Sequence, residues 1–205
     1  MASKIIVDQL EKTGGALTAL TLPTGNASAS EFLQNDGAGA LSWATPSGGK
    51  VLQVIQTVKT DTTSTTALTS SPVDMTGMTV DITPSATTSK VLVFWNLQLG
   101  FIANNSLFLT LVREVGGVAA TPLLGDTASS RVRTSTSAMS PHGDAAAVSA
   151  IQYLDSPATT SAVTYKIKWS IQWVGTGYVN RSYTDTDNST FQRTTSSITV
   201  MEIGA

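Results

Sequence analysis

The residues best suited to chemistry lie between Gly175 and Arg193. This stretch carries Tyr178, Arg181, Tyr183, Asp185, Asp187, Asn188 and Arg193, and only Val179 and Phe191 are plainly apolar. Planar aromatic rings beside guanidinium, carboxylate and amide groups suit the faces and hydroxyl edges of a carbohydrate. Long loops inside compact domains are often functional. The competing reading is a long hairpin or subunit-contact loop with no ligand. Within the stretch, Asp185-Thr186-Asp187-Asn188 sets oxygen ligands at alternate positions, as a calcium loop begins. Thr190 stands where that loop needs glycine, and no glutamate follows at the twelfth position. A solvated loop is therefore expected, with no metal and no cofactor.

Other reactive groups are sparse. His142, in Ser140-Pro141-His142-Gly143-Asp144, is the one histidine. Without a second imidazole or a serine elbow it reads as a polar side chain in a turn. Arg131-Val132-Arg133 reads as a solvated edge, or as a partner for carboxylates on a neighbouring subunit. The four glutamates, Glu11, Glu31, Glu114 and Glu202, form no obvious pair for acid–base work. The absence of cysteine excludes disulfides, thiolate metal sites and a cysteine nucleophile. The expectation is a protein that is not an enzyme.

Charge narrows the partners. The 12 Lys and Arg against 14 Asp and Glu give a net charge of −2, and the basic residues are scattered. No basic footprint for nucleic acid exists. No apolar run approaches the ~18 residues of a membrane span, so no membrane insertion is expected. The opening Met-Ala-Ser-Lys-Ile-Ile-Val-Asp reaches Asp8 and Glu11 before any long apolar stretch. It does not read as a signal peptide, and synthesis in the cytosol is expected.

The elements that must position these groups are strands. Thr and Ser fill about 56 of the 205 positions. β-Branched Thr suits a pleated, half-exposed surface, and Ser and Thr compete with the backbone in helix interiors. After Thr45-Pro46-Ser47-Gly48-Gly49, a hinge-like run, strand patterns follow at once: Val51–Val58, Met78–Thr83, Lys90–Leu99, Leu107–Val115, Ala145–Leu154 and Ser197–Ile203. The strongest is Val163 to Val174. There Val163, Tyr165, Ile167, Trp169, Ile171 and Trp173 share one face, which is expected to be buried, and Lys166, Lys168 and Gln172 lie opposite. The spacing predicts an all-β, jelly-roll-like antiparallel β-sandwich over residues 47–205. Pairing the first and last strands would protect their edges, while the strand order stays open.

Residues 1–46 have a different texture, rich in Gly, Ala, Thr and Ser. Lys4–Leu10 is too short for a stable helix and could be a strand. Phe32–Gln34 and Ala40–Trp43 read as the arms of a hairpin, with Asn35-Asp36-Gly37 supplying residues that tolerate positive φ. So small a hairpin cannot bury Phe32, Leu33, Leu41 and Trp43 by itself. It docks on the second region, or identical copies share those side chains around an axis. The first 46 residues are expected to form an arm distinct from the sandwich.

The run Leu22 to Trp43, with its Asn35-Asp36-Gly37-Ala38-Gly39-Ala40-Leu41-Ser42-Trp43 hairpin, resembles the fibre module of bacteriophage tail-fibre proteins. Gly49 to Asp61 and Ser196 to Ile203 resemble the opening and closing strands of a distal β-sandwich domain in tailed phages of aquatic bacteria. The resemblance covers both ends of the chain well and residues 104–195 poorly. It implies a homotrimeric virion protein, made in the host cytoplasm, whose other partners are tail or capsid proteins. The arm, through Phe32, Leu33, Leu41 and Trp43, would anchor to the virion and trimerise. The loop carrying Tyr178 to Arg193 would meet the host surface, with carbohydrate as its ligand, or a neighbouring subunit. A short tail fibre or tip protein is the first expectation. A capsid decoration or head-fibre protein is the alternative, and a non-viral lectin-like binding module is a third.

Overall fold

The computed structural model describes residues 9–10, 20–45, 50–120, 123–140, 142 and 144–204. The chain divides into two compact units, Met1–Gly48 and Gly49–Ala205. The described residues contain strands and turns and no helix.

In the first unit β1 (Gln9–Leu10) pairs antiparallel with β2 (Leu20–Thr21), and β3 (Phe32–Asn35) pairs with β4 (Leu41–Ala44). The rest of the Lys4–Leu10 segment lies outside the described residues. In the hairpin Leu33 stands opposite Trp43 and Asn35 opposite Leu41. Gly37 and Gly39 take the positive φ angles of the turn. Asn35 and Asp36 act through their side chains instead. The Asn35 Oδ1 accepts from the Gly37 N–H, and the Asp36 Oδ1 accepts from the N–H groups of Ala38 and Ala40. Those backbone donors hold the Asp36 carboxyl below its ordinary value.

The second unit is a jelly-roll-like antiparallel β-sandwich. Its strands are β5 (Val51–Lys59), β6 (Thr63–Thr65), β7 (Val73–Ile82), β8 (Lys90–Phe101), β9 (Ser106–Val115), β10 (Val118–Ala120), β11 (Thr136–Met139), β12 (Ala147–Asp155), β13 (Val163–Ile171), β14 (Gly177–Val179) and β15 (Ser196–Ile203). In one sheet β8 is flanked by β12 on one edge. On its other edge lie β15 and, further along, β14, which pair in turn with β5 and β6. In the other sheet β9 pairs with β13 on one side and with β10 and β11 on the other, and β7 completes the edge beyond β13. The first and last strands of the unit, β5 and β15, are neighbours.

Period-2 patterning builds the core between the sheets. Trp95, Leu97, Leu99 and Phe101 of β8 meet Leu107, Leu109 and Leu111 of β9 and Tyr165, Ile167 and Trp169 of β13, all buried. A register shift in β7 opposite Lys166–Lys168 lets both Met75 and Met78 face inward, three residues apart. Gly77 sits in that shift at φ +80°, a conformation that favours glycine.

Two polar clusters serve the core. Asp155 accepts from the Tyr165 hydroxyl at 2.7 Å and from the Arg113 guanidinium at 2.8 and 2.9 Å. Burial and the bond to Asp155 push the Tyr165 phenol up. Glu202, 1% exposed, accepts from Gln53 Nε2, from the Ser85 N–H and from the Ser85 hydroxyl. Burial alone would raise this carboxyl, but the bonds from Ser85, Gln53 and Ser89 outweigh it and hold it at about 2.

One expectation is corrected. Trp169 is 2% exposed, but Trp173 is 59% exposed. β9 begins at Ser106, so β13 has no partner beyond Gln172, whose N–H bonds the Ser106 carbonyl. The Asn105 side chain then bonds both the N–H and the carbonyl of Trp173. The chain bends there, and the alternation in sequence outlasts the strand.

Candidate functional site

The Gly175–Arg193 segment is anchored at Asn180, which is fully buried at φ +64°. Asn tolerates this left-handed geometry better than most residues. Its Nδ2 donates to the carbonyls of Lys59 and Asp61, and its Oδ1 accepts from the Ser196 hydroxyl. Its N–H bonds the Gln98 carbonyl, and its own carbonyl accepts from the Thr194 N–H. Every polar group of this residue is used, so both ends of the loop are pinned to β5, β8 and β15.

From that anchor the chain crosses over β8. An added Cβ on Gly100 would lie 2.1 Å from the Arg181 carbonyl oxygen and 2.8 Å from the Tyr183 nitrogen. Tyr178, on β14, stands beside this crossing. The Arg181 guanidinium lies 4.1 Å from the centre of its ring, a cation–π contact. Tyr183 packs against the same ring at 6.0 Å and 58°. Arg181 also donates to the carbonyls of Ser182 and Tyr183.

Asp185 ties the two limbs of the loop. It pairs with Arg181 at 2.9 Å and with Arg193 through both of its oxygens. Arg193, then Arg181, hold its carboxyl below the ordinary value, and Asp185 raises Arg193 in return. Asn188 Oδ1 accepts from the Thr190 N–H and hydroxyl, closing a local turn. Asp187 and Asn188 are exposed. Together with Asp185, Thr186, Phe191 and Arg193 they line an open hollow of about 340 Å³.

The structure thus brings the seven sequence-derived residues into two linked groups. Tyr178, Arg181 and Tyr183 form a stacked cluster, and Asp187 and Asn188 line the hollow with Arg193. Asp185 joins the two. Its oxygens are taken by two guanidinium groups. Among the described residues no cluster of three or more His, Asp or Glu could hold a metal. Sequence reasoning missed Gly100 and Asn180. Asn180 carries a weak signal, an Asn at the head of a polar loop. Gly100 carries none, because its partner lies about eighty residues away in sequence.

The remaining candidates are simpler. Arg133 donates to the Gly125 carbonyl and closes its own loop, and Arg131 is exposed. The His142 carbonyl accepts from the Ser140 hydroxyl. In the hairpin Phe32 and Leu33 are about half exposed, at 46% and 45%, while Leu41 and Trp43 are partly covered. Trp43 Nε1 donates to the Gly25 carbonyl at 2.6 Å.

No protein-family model matches the sequence, and no curated protein matches it. Among solved structures the chain is similar to the VP2 subviral particle of infectious bursal disease virus, at 10% identity and a TM-score of 0.39. That match covers 95% of this chain and 46% of the other. The D431N mutant VP2 of the same virus, in T=1 particles, matches at 10% identity and a TM-score of 0.35, over 95% of this chain and 44% of the other. The Gt strain structure of that virus matches at 12% identity and a TM-score of 0.33, over 95% and 46%. The chain spans less than half the length of these proteins. Likenesses of this size define no family for the chain. No helix among the described residues is long and apolar enough to cross a membrane.

Proposed function

We propose that the chain is a structural protein of a phage virion. In this reading it is a short homotrimeric tail fibre or tail-tip protein with no catalytic role. Residues 1–46 attach it to tail or capsid proteins, and the sandwich meets the host surface. The observation that carries the reading is the hairpin. Leu33 faces Trp43 across two four-residue strands, and Phe32 and Leu33 remain about half exposed. A hairpin of this size is not stable alone, so its apolar residues need partners. The resemblance of Leu22–Trp43 to the fibre module supports the same reading.

The loop supports host contact. Its hollow offers carboxylate, amide and hydroxyl groups beside Phe191, with Tyr178 and Tyr183 stacked nearby. Such a mix suits the hydroxyl edge and apolar face of a sugar. The test is to look for the chain in purified phage particles and measure its abundance on a stained gel. A fibre is present at low copy number. Abundance comparable to the major capsid protein would turn the reading to a head decoration protein. Absence from the particle would contradict both and leave the lectin-like module.

A further inference from the structure

The two outer faces of the sandwich differ in kind. On the β7–β13–β9 sheet the outward face carries a network of paired charges. Lys166 bridges Asp74 and Glu114, and Thr164 bonds Asp81. On the β12–β8–β15–β5 sheet the outward positions are almost free of charge, with apolar residues on either side of a neutral polar band that includes Gln56, Thr199, Asn96 and Gln152. One row runs Val54, Met201, Leu92, Leu154 across all four strands. Leu52, Val54, Val58, Val148 and Leu154 are each between 48% and 59% exposed. Lys90, at one corner, is the one charged residue facing outward from these four strands among the described residues.

We propose that this outer face packs against a second copy of the chain. The five most exposed of these residues present on the order of 450 Å², within the range for a monomer's largest patch and over half of the ~800 Å² per partner of a stable interface. A face whose one charge sits at a corner is matched by another like it. The chain's own charged face is a poor mate, because stacking on it would bury Lys166, Asp74 and Glu114 against apolar side chains. β5, the edge strand of this face, directly follows the first unit in sequence. Copies joined through their first units would therefore hold these faces at high effective concentration. The inference names the surface through which the sandwiches of the proposed homotrimer pack, and rests on that reading only for the trimer number.

The chain has no cysteine, so an introduced thiol reports one position. In the full-length protein, Ala150→Cys on the apolar face and Thr76→Cys on the charged face are alkylated under native conditions, and the mass is followed by sedimentation. Both positions are exposed in the single chain. The expected result is a multi-chain species in which Ala150→Cys reacts at least about tenfold more slowly than Thr76→Cys, a ratio that corresponds to about 1.4 kcal/mol of protection. Adding Val54→Lys and Leu154→Lys should abolish that protection without loss of the β signal in circular dichroism. Equal alkylation rates in a multi-chain species would overturn the inference. Slow alkylation in a single-chain species would also overturn it, and would assign the cover to the chain's own residues. Leu33→Asp separates the two readings. If it alone yields single chains while the alkylation rates were equal from the start, the hairpin-based trimer stands and the face inference falls.

Discussion

A Cβ on Gly100 would stand 2.1 Å from the carbonyl oxygen of Arg181, so β8 has to be bare where the 181–183 segment crosses it. The obstacle is backbone and cannot swing away as a side chain could. Gly100→Ala should therefore displace the crossing and disturb the Arg181–Tyr178 stack. Overpacking of this kind costs about 1–3 kcal/mol. For a chain of this size that lowers Tm by roughly 2–12 °C. Thermal unfolding checks it, and an unchanged Tm would show that the loop does not rest on β8.

The two tryptophans of the β13 region should behave differently. Trp169 is in the core, and Trp169→Ala should cost about 3–5 kcal/mol. Trp173 is exposed, and Trp173→Ala should stay within about 0.5 kcal/mol. With Trp43 and Trp95 replaced by Phe, acrylamide should quench Trp173 readily and Trp169 poorly. Equal quenching of both would contradict the placement of the bend at Trp173.

Glu202 predicts the acid limb of stability. Its folded carboxyl sits at about 2 against an ordinary value of 4.5, so the folded state binds its proton less readily than the unfolded chain. The contribution is full above pH 4.5 and is lost as pH falls from there toward 2. Wild type should lose stability across that window more steeply than Glu202→Gln, which carries no titrating group. Parallel pH profiles for the two proteins would remove Glu202 from this role.

Asp185→Ala should loosen the loop without unfolding the sandwich. The variant leaves Arg181 and Arg193 unpaired at a partly exposed site, where such ion pairs are worth at most about 1 kcal/mol. Amide exchange should rise across residues 181–193 while Tm stays nearly constant. A global loss of stability would mean that the loop is part of the core.

How much of this was legible in the sequence depends on the element. Val163 to Ile171 announced itself because its alternation is driven by a two-sided environment, core on one side and Lys166 and Lys168 on the other. The same alternation ran past its end at Trp173, since pattern alone does not say where the neighbouring strand starts. β14 was hidden because Gly177-Tyr178-Val179 is three residues long and begins with glycine. Its place is fixed by pairing with β6 and β8, which are distant in sequence. The polar loop was visible by composition, but its order was not. Asn180, Gly100 and the double pairing of Asp185 act through contacts that spacing does not encode.

The proposed role of the sandwich is contact with the host surface through the 175–193 loop. Competition for adsorption tests it most directly. Purified full-length protein in saturating excess is added to host cells before a phage whose purified particles contain the chain. Adsorption should fall sharply, and the Asp185→Ala protein, with its loop loosened, should compete less well. Unchanged adsorption at saturating protein would contradict it.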